Sequence, residues 1–298
     1  MITSVKTGKV LAYVGNTKAK DEENSSDVDC INAARSTGSI LKPFLYAKCM
    51  EDGLITPGML VPDIPTQFGS FSPKNFTQQY DGAVPVNKAL SRSLNIPMVR
   101  LLNEYGLEKF HRDLKNYGVT TLNKPAMHYG LSLILGGAEA KLWDLNKAYT
   151  QMAQELKYGS SKDILFVNDL PSTKIKRSQV KSREAKLAVK NKPLHQKSHV
   201  GRCKTDIACI FKTFEAMVDV NRPDEDGNWR AFSSSQKIAW KTGTSFGFRD
   251  AWAIGITPDY VVSVWVGNAD GEGRPGLTGI KAAAPLLFDV FAQLPKSA

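Results

Sequence analysis

An α+β fold built on an antiparallel sheet is what this chain predicts, on three observations. Strand-like segments gather at the two ends of the 298 residues, in about 2–15 and 237–268. Helix-forming segments fill the span between them and return after the last strand. No internal repeat of twenty to fifty residues appears, which argues against solenoids and propellers.

Ile2 to Gly15 carries Val, Leu, Ala and Tyr around Lys6-Thr7-Gly8-Lys9, the pattern of a β-hairpin with glycine at its turn. Ser39 to Glu51 has helix-forming content and stops near Gly53. Pro43 is tolerated only near a helix start, so this helix is expected to open near Ser39. Two further helices are expected over Val86 to Arg92 and Ile96 to Tyr105. Pro97 lies in the first turn of the second, and Gly106 just past its end. Another runs from Leu142 to about Leu156. Lys237 to Thr244, Arg249 to Thr257 and Tyr260 to Asn268 read as neighbouring antiparallel strands, the last two joined at Thr257-Pro258-Asp259. Gly279 to Gln293 reads as a helix packed on that sheet.

Between these blocks lies an interruption at about 157–205. From Lys174 to Lys197 lysine and arginine recur with Glu184 as the only acid. This is expected to be an inserted surface loop whose flanks pack together. It holds much of the formal charge of +10, which favours a polyanionic neighbour without choosing among nucleic acid, anionic lipid and an acidic polymer. No aromatic residue occurs from Pro171 to Ile210, which weakens base stacking as its role.

A hydrophobic content of 42% is enough to bury a core. No run of eighteen apolar residues and no basic-then-apolar leader occurs, so the chain is expected to carry no signal or anchor of its own. Cys30, Cys49, Cys203 and Cys209 form no C-x-x-C pair. His195, His199, Cys203 and Cys209 make a local cluster, but its spacing matches no common zinc module, and no metal or cofactor is expected.

Three short motifs occur in one order: Ser39-Ile40-Leu41-Lys42, Ser93-Leu94-Asn95 and Lys241-Thr242-Gly243-Thr244. Each alone is cheap, since an S-x-x-K match arises about once by chance in a chain this long. Ser178 with Lys181 and Ser234 with Lys237 also fit it, and Lys6-Thr7-Gly8 is a second K-T-G. Context separates them. Ser178 lies in the basic segment, Ser234 precedes a strand in a polar run, and Lys6 sits at a hairpin tip. Ser39 and Lys42, three apart at a helix start, share a face. There the helix dipole and burial both disfavour an ammonium, which suits Lys42 to act as a neutral base toward the Ser39 hydroxyl. Ser93 and Asn95 occupy a corner between helices, placed to pass a proton and hold a substrate amide. Gly243 lets another backbone approach, so that a peptide lies along the strand while Lys241 and Thr242 meet its terminal carboxylate. Backbone N–H groups of Ser39 and Thr244 are the expected oxyanion donors.

Together with their surroundings, Arg35 to Phe44, Ala89 to Pro97 and Trp240 to Trp252, these motifs resemble the transpeptidase domain of class A penicillin-binding proteins. The similarity covers nearly the whole chain except the basic segment. Asp63, Ser72-Pro73-Lys74-Asn75-Phe76 and Leu135-Gly136-Gly137-Ala138-Glu139 are in keeping with it. The resemblance implies a β-lactamase/transpeptidase-like fold, in which helices flank a five-stranded antiparallel sheet and an all-helical subdomain stands beside it. It implies a reaction on peptidoglycan stem peptides ending in D-alanyl-D-alanine. Ser39 is then the nucleophile, Lys42 its base, Ser93 the proton relay and Asn95 a ligand for Lys42 and substrate. Lys241, Thr242, Gly243 and Thr244 bind the carboxylate and complete the oxyanion hole, and β-lactam antibiotics acylate Ser39. Other cell-wall synthesis proteins are possible partners, and the family works at the periplasmic face of the inner membrane. The membrane anchor, glycosyltransferase domain and C-terminal β domain found in such proteins are expected to be absent from this chain. Two alternatives stay open: a hydrolase, either a D,D-carboxypeptidase or a β-lactamase with Glu104 or Glu139 weighed as its water-activating base, and an idle penicillin-binding sensor.

Overall fold

The computed structural model describes residues 1–17, 28–159, 205–220 and 237–296. In chain order the elements are β1 (Ile2–Ser4), β2 (Val10–Ala12), β3 (Arg35–Ser36), α1 (Lys42–Glu51), β4 (Leu60–Asp63), β5 (Gly82–Pro85), α2 (Val86–Ser91), α3 (Asn95–Tyr105), α4 (Leu107–Asn116), α5 (Ala126–Tyr129), β6 (Glu139–Ala140), α6 (Leu142–Tyr158), α7 (Ile207–Val218), β7 (Ala239–Thr244), β8 (Asp250–Ile256), β9 (Tyr260–Gly267) and α8 (Ala284–Gln293). A five-stranded antiparallel sheet runs in the order β2-β1-β9-β8-β7. The two chain ends therefore build one sheet, as the strand segments predict. β7 forms one border, with Gly243 opposite Trp252 and Thr244 opposite Ala251.

Period-two alternation sends successive β8 residues to opposite faces. Ala251 and Ala253 enter an outer core with Leu287 and Phe291 of α8. A Cβ at Gly255 would fall 2.6 Å from the Phe291 ring, so glycine is what lets α8 sit so close. Trp252, Ile254 and Ile256 face the opposite way, into the larger core shared with the helices. At the centre of that core is α1, where every residue from Lys42 to Cys49 is buried. α1 is thus an interior helix, and it carries two lysines, Lys42 and Lys48, into that interior. The Phe44 ring lies 4.9 Å from that of Tyr117 and 4.7 Å from that of Tyr149.

α4 has no counterpart among the expected helices, although Phe110 and Leu114, four apart, put its buried face in plain sequence. Most of the basic segment, with Ser178, His195, His199 and Cys203, lies outside the described residues, as does Ser234. Its flanks do pack together, α6 against α7. Among the described residues no helix is long and apolar enough to cross a membrane, and no group of three His, Cys, Asp or Glu side chains could hold a metal.

Candidate active site

Thr37 to Leu41 form a tight turn between β3 and α1. Ile40 N–H donates to Thr37 O at 3.1 Å, Lys42 N–H to Ser39 O at 3.3 Å, and Phe44 N–H to Leu41 O at 3.2 Å. The α-helix thus opens at Lys42, not at Ser39 as the proline argument suggests. Gly38, at φ +51°, turns the chain out of β3, and three-residue closures carry it into the helix. Groups distant in sequence fix this turn. Tyr149 Oη donates to Ile40 O at 2.7 Å, Trp252 Nε1 to Ser36 O at 2.8 Å, and Thr37 N–H to Ala138 O at 3.0 Å. Ser39 is partly exposed at its surface, while Lys42 is fully buried beneath.

Lys42 Nζ donates to Ser93 O at 2.8 Å, Leu94 O at 3.1 Å and Asn95 Oδ1 at 2.7 Å. All three acceptors come from the corner between α2 and α3. That corner is sharp because Ser93 takes φ +58°, a region few non-glycine residues occupy. Lys241, also buried, reaches the same corner from β7 and donates to Ser93 Oγ at 2.8 Å and Thr242 O at 2.7 Å. Burial, and then the neighbouring Lys241 charge, hold Lys42 well below the usual lysine range. Burial brings Lys241 down to about 7. The setting pulls both ways on Lys42, because a neutral amine has two N–H bonds for three acceptors, whereas an ammonium has three. Lys42 is therefore easily neutralised, yet its protonated form meets ready partners.

β7 alternates across this site. Lys241 and Gly243 face the helices, and Thr242 and Thr244 face the opposite way, where Thr244 Oγ1 accepts from Gly279 N–H at 3.0 Å. The space beside Gly243 is taken by the chain itself, since a Cβ there would fall 2.6 Å from Thr37 O. That corrects the reason for its glycine: the backbone it admits is the turn carrying Ser39. A Cβ at Gly38 would likewise lie 2.6 Å from Thr244 N and O. The turn and the end of β7 are thus in direct backbone contact.

A model of the penicillin binding protein transpeptidase domain matches residues 1–292. The chain belongs to the penicillin-binding protein transpeptidase family. Penicillin-binding protein 1C of Escherichia coli K12 is 35% identical over 282 residues, covering 95% of this chain and 32% of that protein. Penicillin-binding protein 1A of Rickettsia felis is 27% identical over 311 residues, covering 99% and 38%. The chain therefore spans about a third of the length of the curated relatives it matches. Among solved structures, PonA1 of Mycobacterium tuberculosis in complex with penicillin V superposes at a TM-score of 0.69 with 19% identity, over the whole of this chain and 78% of that one. Penicillin-binding protein 1A of Haemophilus influenzae gives 0.62 with 21% identity, over 92% and 45%. These likenesses establish the fold of the transpeptidase domain.

Within that domain Lys42, Ser93, Asn95 and Lys241 share one hydrogen-bond network, and the turn that carries Ser39 leads into Lys42 and lies against the end of β7 at Thr244. Lys6-Thr7-Gly8 is a hairpin tip, Gly8 at φ +70°, on the side of the sheet remote from β7. Glu104 lies near the far end of α3, exposed. Glu139 is exposed on β6, which pairs with β3. Tyr149 and Gly136 carry no motif, yet they hold the turn; a Cβ at Gly136 would come within 2.8 Å of Gly38 N. The glycine pair at 136 and 137 is the only sequence signal for such a close approach.

Proposed function

We propose that the chain is a D,D-transpeptidase domain that cross-links peptidoglycan stem peptides through an acyl-enzyme on Ser39, and that β-lactams acylate the same hydroxyl. The observation that carries this reading is the convergence of two buried lysines, from α1 and β7, on the Ser93 corner, the first of them three residues after the partly exposed Ser39.

A stem peptide lies against β7, its terminal carboxylate at the Thr242 and Thr244 hydroxyls, with the Lys241 charge behind them. Neutral Lys42 takes the Ser39 proton as Oγ attacks the penultimate carbonyl carbon. The resulting ammonium is held by Ser93 O, Leu94 O and Asn95 Oδ1. The oxyanion sits on the N–H groups of Ser39 and Thr244, which the Gly38–Thr244 contact keeps adjacent. Collapse breaks the amide C–N bond, and the proton that Lys42 took returns by way of Ser93 Oγ to the leaving D-alanine nitrogen, which leaves Lys42 neutral again. An amine from a second stem then attacks the ester carbon and gives a proton to Lys42; the acyl C–O bond breaks, and that proton returns to Ser39 Oγ. Asn95 holds Lys42 with its Oδ1 and donates from Nδ2 to Lys74 O at 2.8 Å; its contact with substrate is the remaining part of its expected role. The family resemblance makes work at the periplasmic face of the inner membrane, beside other wall-synthesis proteins, part of this proposal.

The test is incubation with a fluorescent penicillin, a denaturing gel and a chase in buffer. Label that survives the chase is expected, and it should be absent from Ser39→Ala. Rapid loss with turnover of the drug would replace the reading with a β-lactamase, and an unlabelled wild-type chain would replace it with an idle domain.

The pH profile of labelling efficiency is expected to be bell-shaped. On the acid side it falls as Lys42 takes a proton and ceases to be a base. Above about 7 it falls as Lys241 loses the charge that meets the carboxylate. Initial labelling rates across pH check both limbs, and a rate still climbing well into the alkaline range would contradict the role given to Lys241.

A further inference from the structure

We propose that Asp63 and Asn75 are positioning residues for Lys42, acting as a buried carboxylate–amide pair that sets the corner from which all three of its acceptors come. The proposal rests on the transpeptidase reading of Ser39 and Lys42 above. Neither residue touches Lys42.

Asp63, at the end of β4, is 0% exposed, and Asn75, in the loop before β5, is 2% exposed. Asp63 Oδ1 accepts from Asn75 Nδ2 at 2.7 Å, and its Oδ2 accepts from the Asp81 N–H at 3.0 Å. The second Asn75 amide hydrogen goes to Gln79 O at 2.9 Å. Both donors are thereby spent, and Asn75 Oδ1 is locked toward the start of α3. There it accepts from Asn95 N–H at 2.9 Å and from Ile96 N–H at 3.3 Å.

These are orphan donors of the first helical turn. The residue that should cap α3, Leu94, has no side-chain acceptor to offer, so Asn75, twenty positions before Asn95, does the work of an N-cap. The next backbone carbonyl in that loop, Lys74 O, accepts Asn95 Nδ2. With the amide nitrogen so committed, Asn95 must turn Oδ1 toward Lys42. The loop thus fixes Asn95 at its backbone and at its side chain. Ser93 O and Leu94 O, the other two acceptors, belong to the residues immediately before this capped turn.

The strain at Ser93 is what makes the anchor matter. A non-glycine residue at φ +58° is strained and persists only when its surroundings over-determine it. The same residue carries the hydroxyl that Lys241 grips. Loosening the cap would let the corner relax and move the lysine acceptors and Ser93 Oγ together. A misplacement of about 1 Å in such a constellation can cost about 10²-fold in rate.

The experiment is a charge swap. Asn75→Asp sets two carboxylates face to face, and Asp63→Asn weakens the lock on Asn75. The double variant D63N/N75D restores an amide–carboxylate pair with its direction reversed, the carboxylate introduced at position 75 now capping α3. Acylation by fluorescent penicillin is measured as a rate constant and as the concentration giving half-maximal rate, below the melting temperature of each protein. Asn75→Asp and Asn75→Ala are expected to lower the rate constant by about 10- to 100-fold, with half-saturation changed by less than about threefold. The double variant is expected to recover at least about tenfold over Asn75→Asp. Folded Asn75→Ala acylating within about threefold of wild type would overturn the proposal, as would a swap that restores the melting temperature without the rate. Should Asn75→Asp not fold, Asn75→Ala and Asp63→Asn carry the same comparison. A wild-type chain that takes no label would refute the parent reading instead, and the two failures are thereby told apart.

Discussion

Replacing Lys42 with methionine is expected to slow acylation by penicillin about 10³-fold, within the 10²- to 10⁴-fold that a positioned general base contributes. The side chains have similar length, so the interior of α1 stays filled. What is lost is the amine that accepts the Ser39 proton. Ser93 O, Leu94 O and Asn95 Oδ1 also lose their shared donor, at a cost of about 1–3 kcal/mol for each buried acceptor that water cannot reach. Offsetting this, a fully buried amine no longer has to be desolvated. The variant should therefore remain folded, and a time course of labelling beside a thermal melt separates the two effects. A Lys42→Met protein that labels at the wild-type rate would remove Lys42 from the mechanism.

The second large effect is expected at Gly38. Alanine there meets two obstacles: φ is +51°, and its Cβ would lie 2.6 Å from both the N and the O of Thr244. The backbone strain alone costs about 1–3 kcal/mol. The overlap is with backbone, so the Ser39 turn and the end of β7 must separate. That draws apart the two N–H groups assigned to the oxyanion. Removing a single donor of this kind costs about 10²- to 10³-fold in rate, and Gly38→Ala is expected to fall in that range. Gly53→Ala is the control. Gly53 has φ +73° with no atom within 4 Å of an added Cβ, so it should lose stability with little change in labelling. Equal losses of rate in the two variants would mean that strain, not the Gly38–Thr244 contact, governs the site.

Local signals are legible in this sequence and tertiary ones are not. Pro43, Gly8 and the alternating segments at the ends speak through φ preferences and period, which act within a few residues; the expected helices and strands fall within about three residues of those found, except that α8 begins at Ala284 after a π-helical stretch from Gly279, while α4, α5, α7 and the short strands β3 to β6 have no expected counterpart. The three motifs are readable because their residue types are tied to one chemistry and occur in order. The grip of Lys241 on Ser93 spans 148 residues, and the bond from Tyr149 to Ile40 spans 109. No periodicity encodes such pairings. Asp63 and Asn75 can be quoted as part of a resemblance but given no task, because the task exists only once β4, the loop after it and α3 are packed. Thr242 stands beside Lys241 in sequence, yet strand alternation sends the two side chains to opposite faces, so adjacency alone does not say from which side each meets a ligand at the strand border. The reason first given for Gly243 fails because sequence says that a backbone comes close, not whose it is.

The most direct measurement is the mass of the chain after exposure to penicillin V, followed by proteolysis and mapping of the adduct. One equivalent is expected, on the peptide that contains Ser39, and none on peptides containing Ser93, Ser178 or Ser234. An adduct on any of those three, or an unmodified chain under conditions where it is folded, would contradict the assignment of Ser39 as the nucleophile.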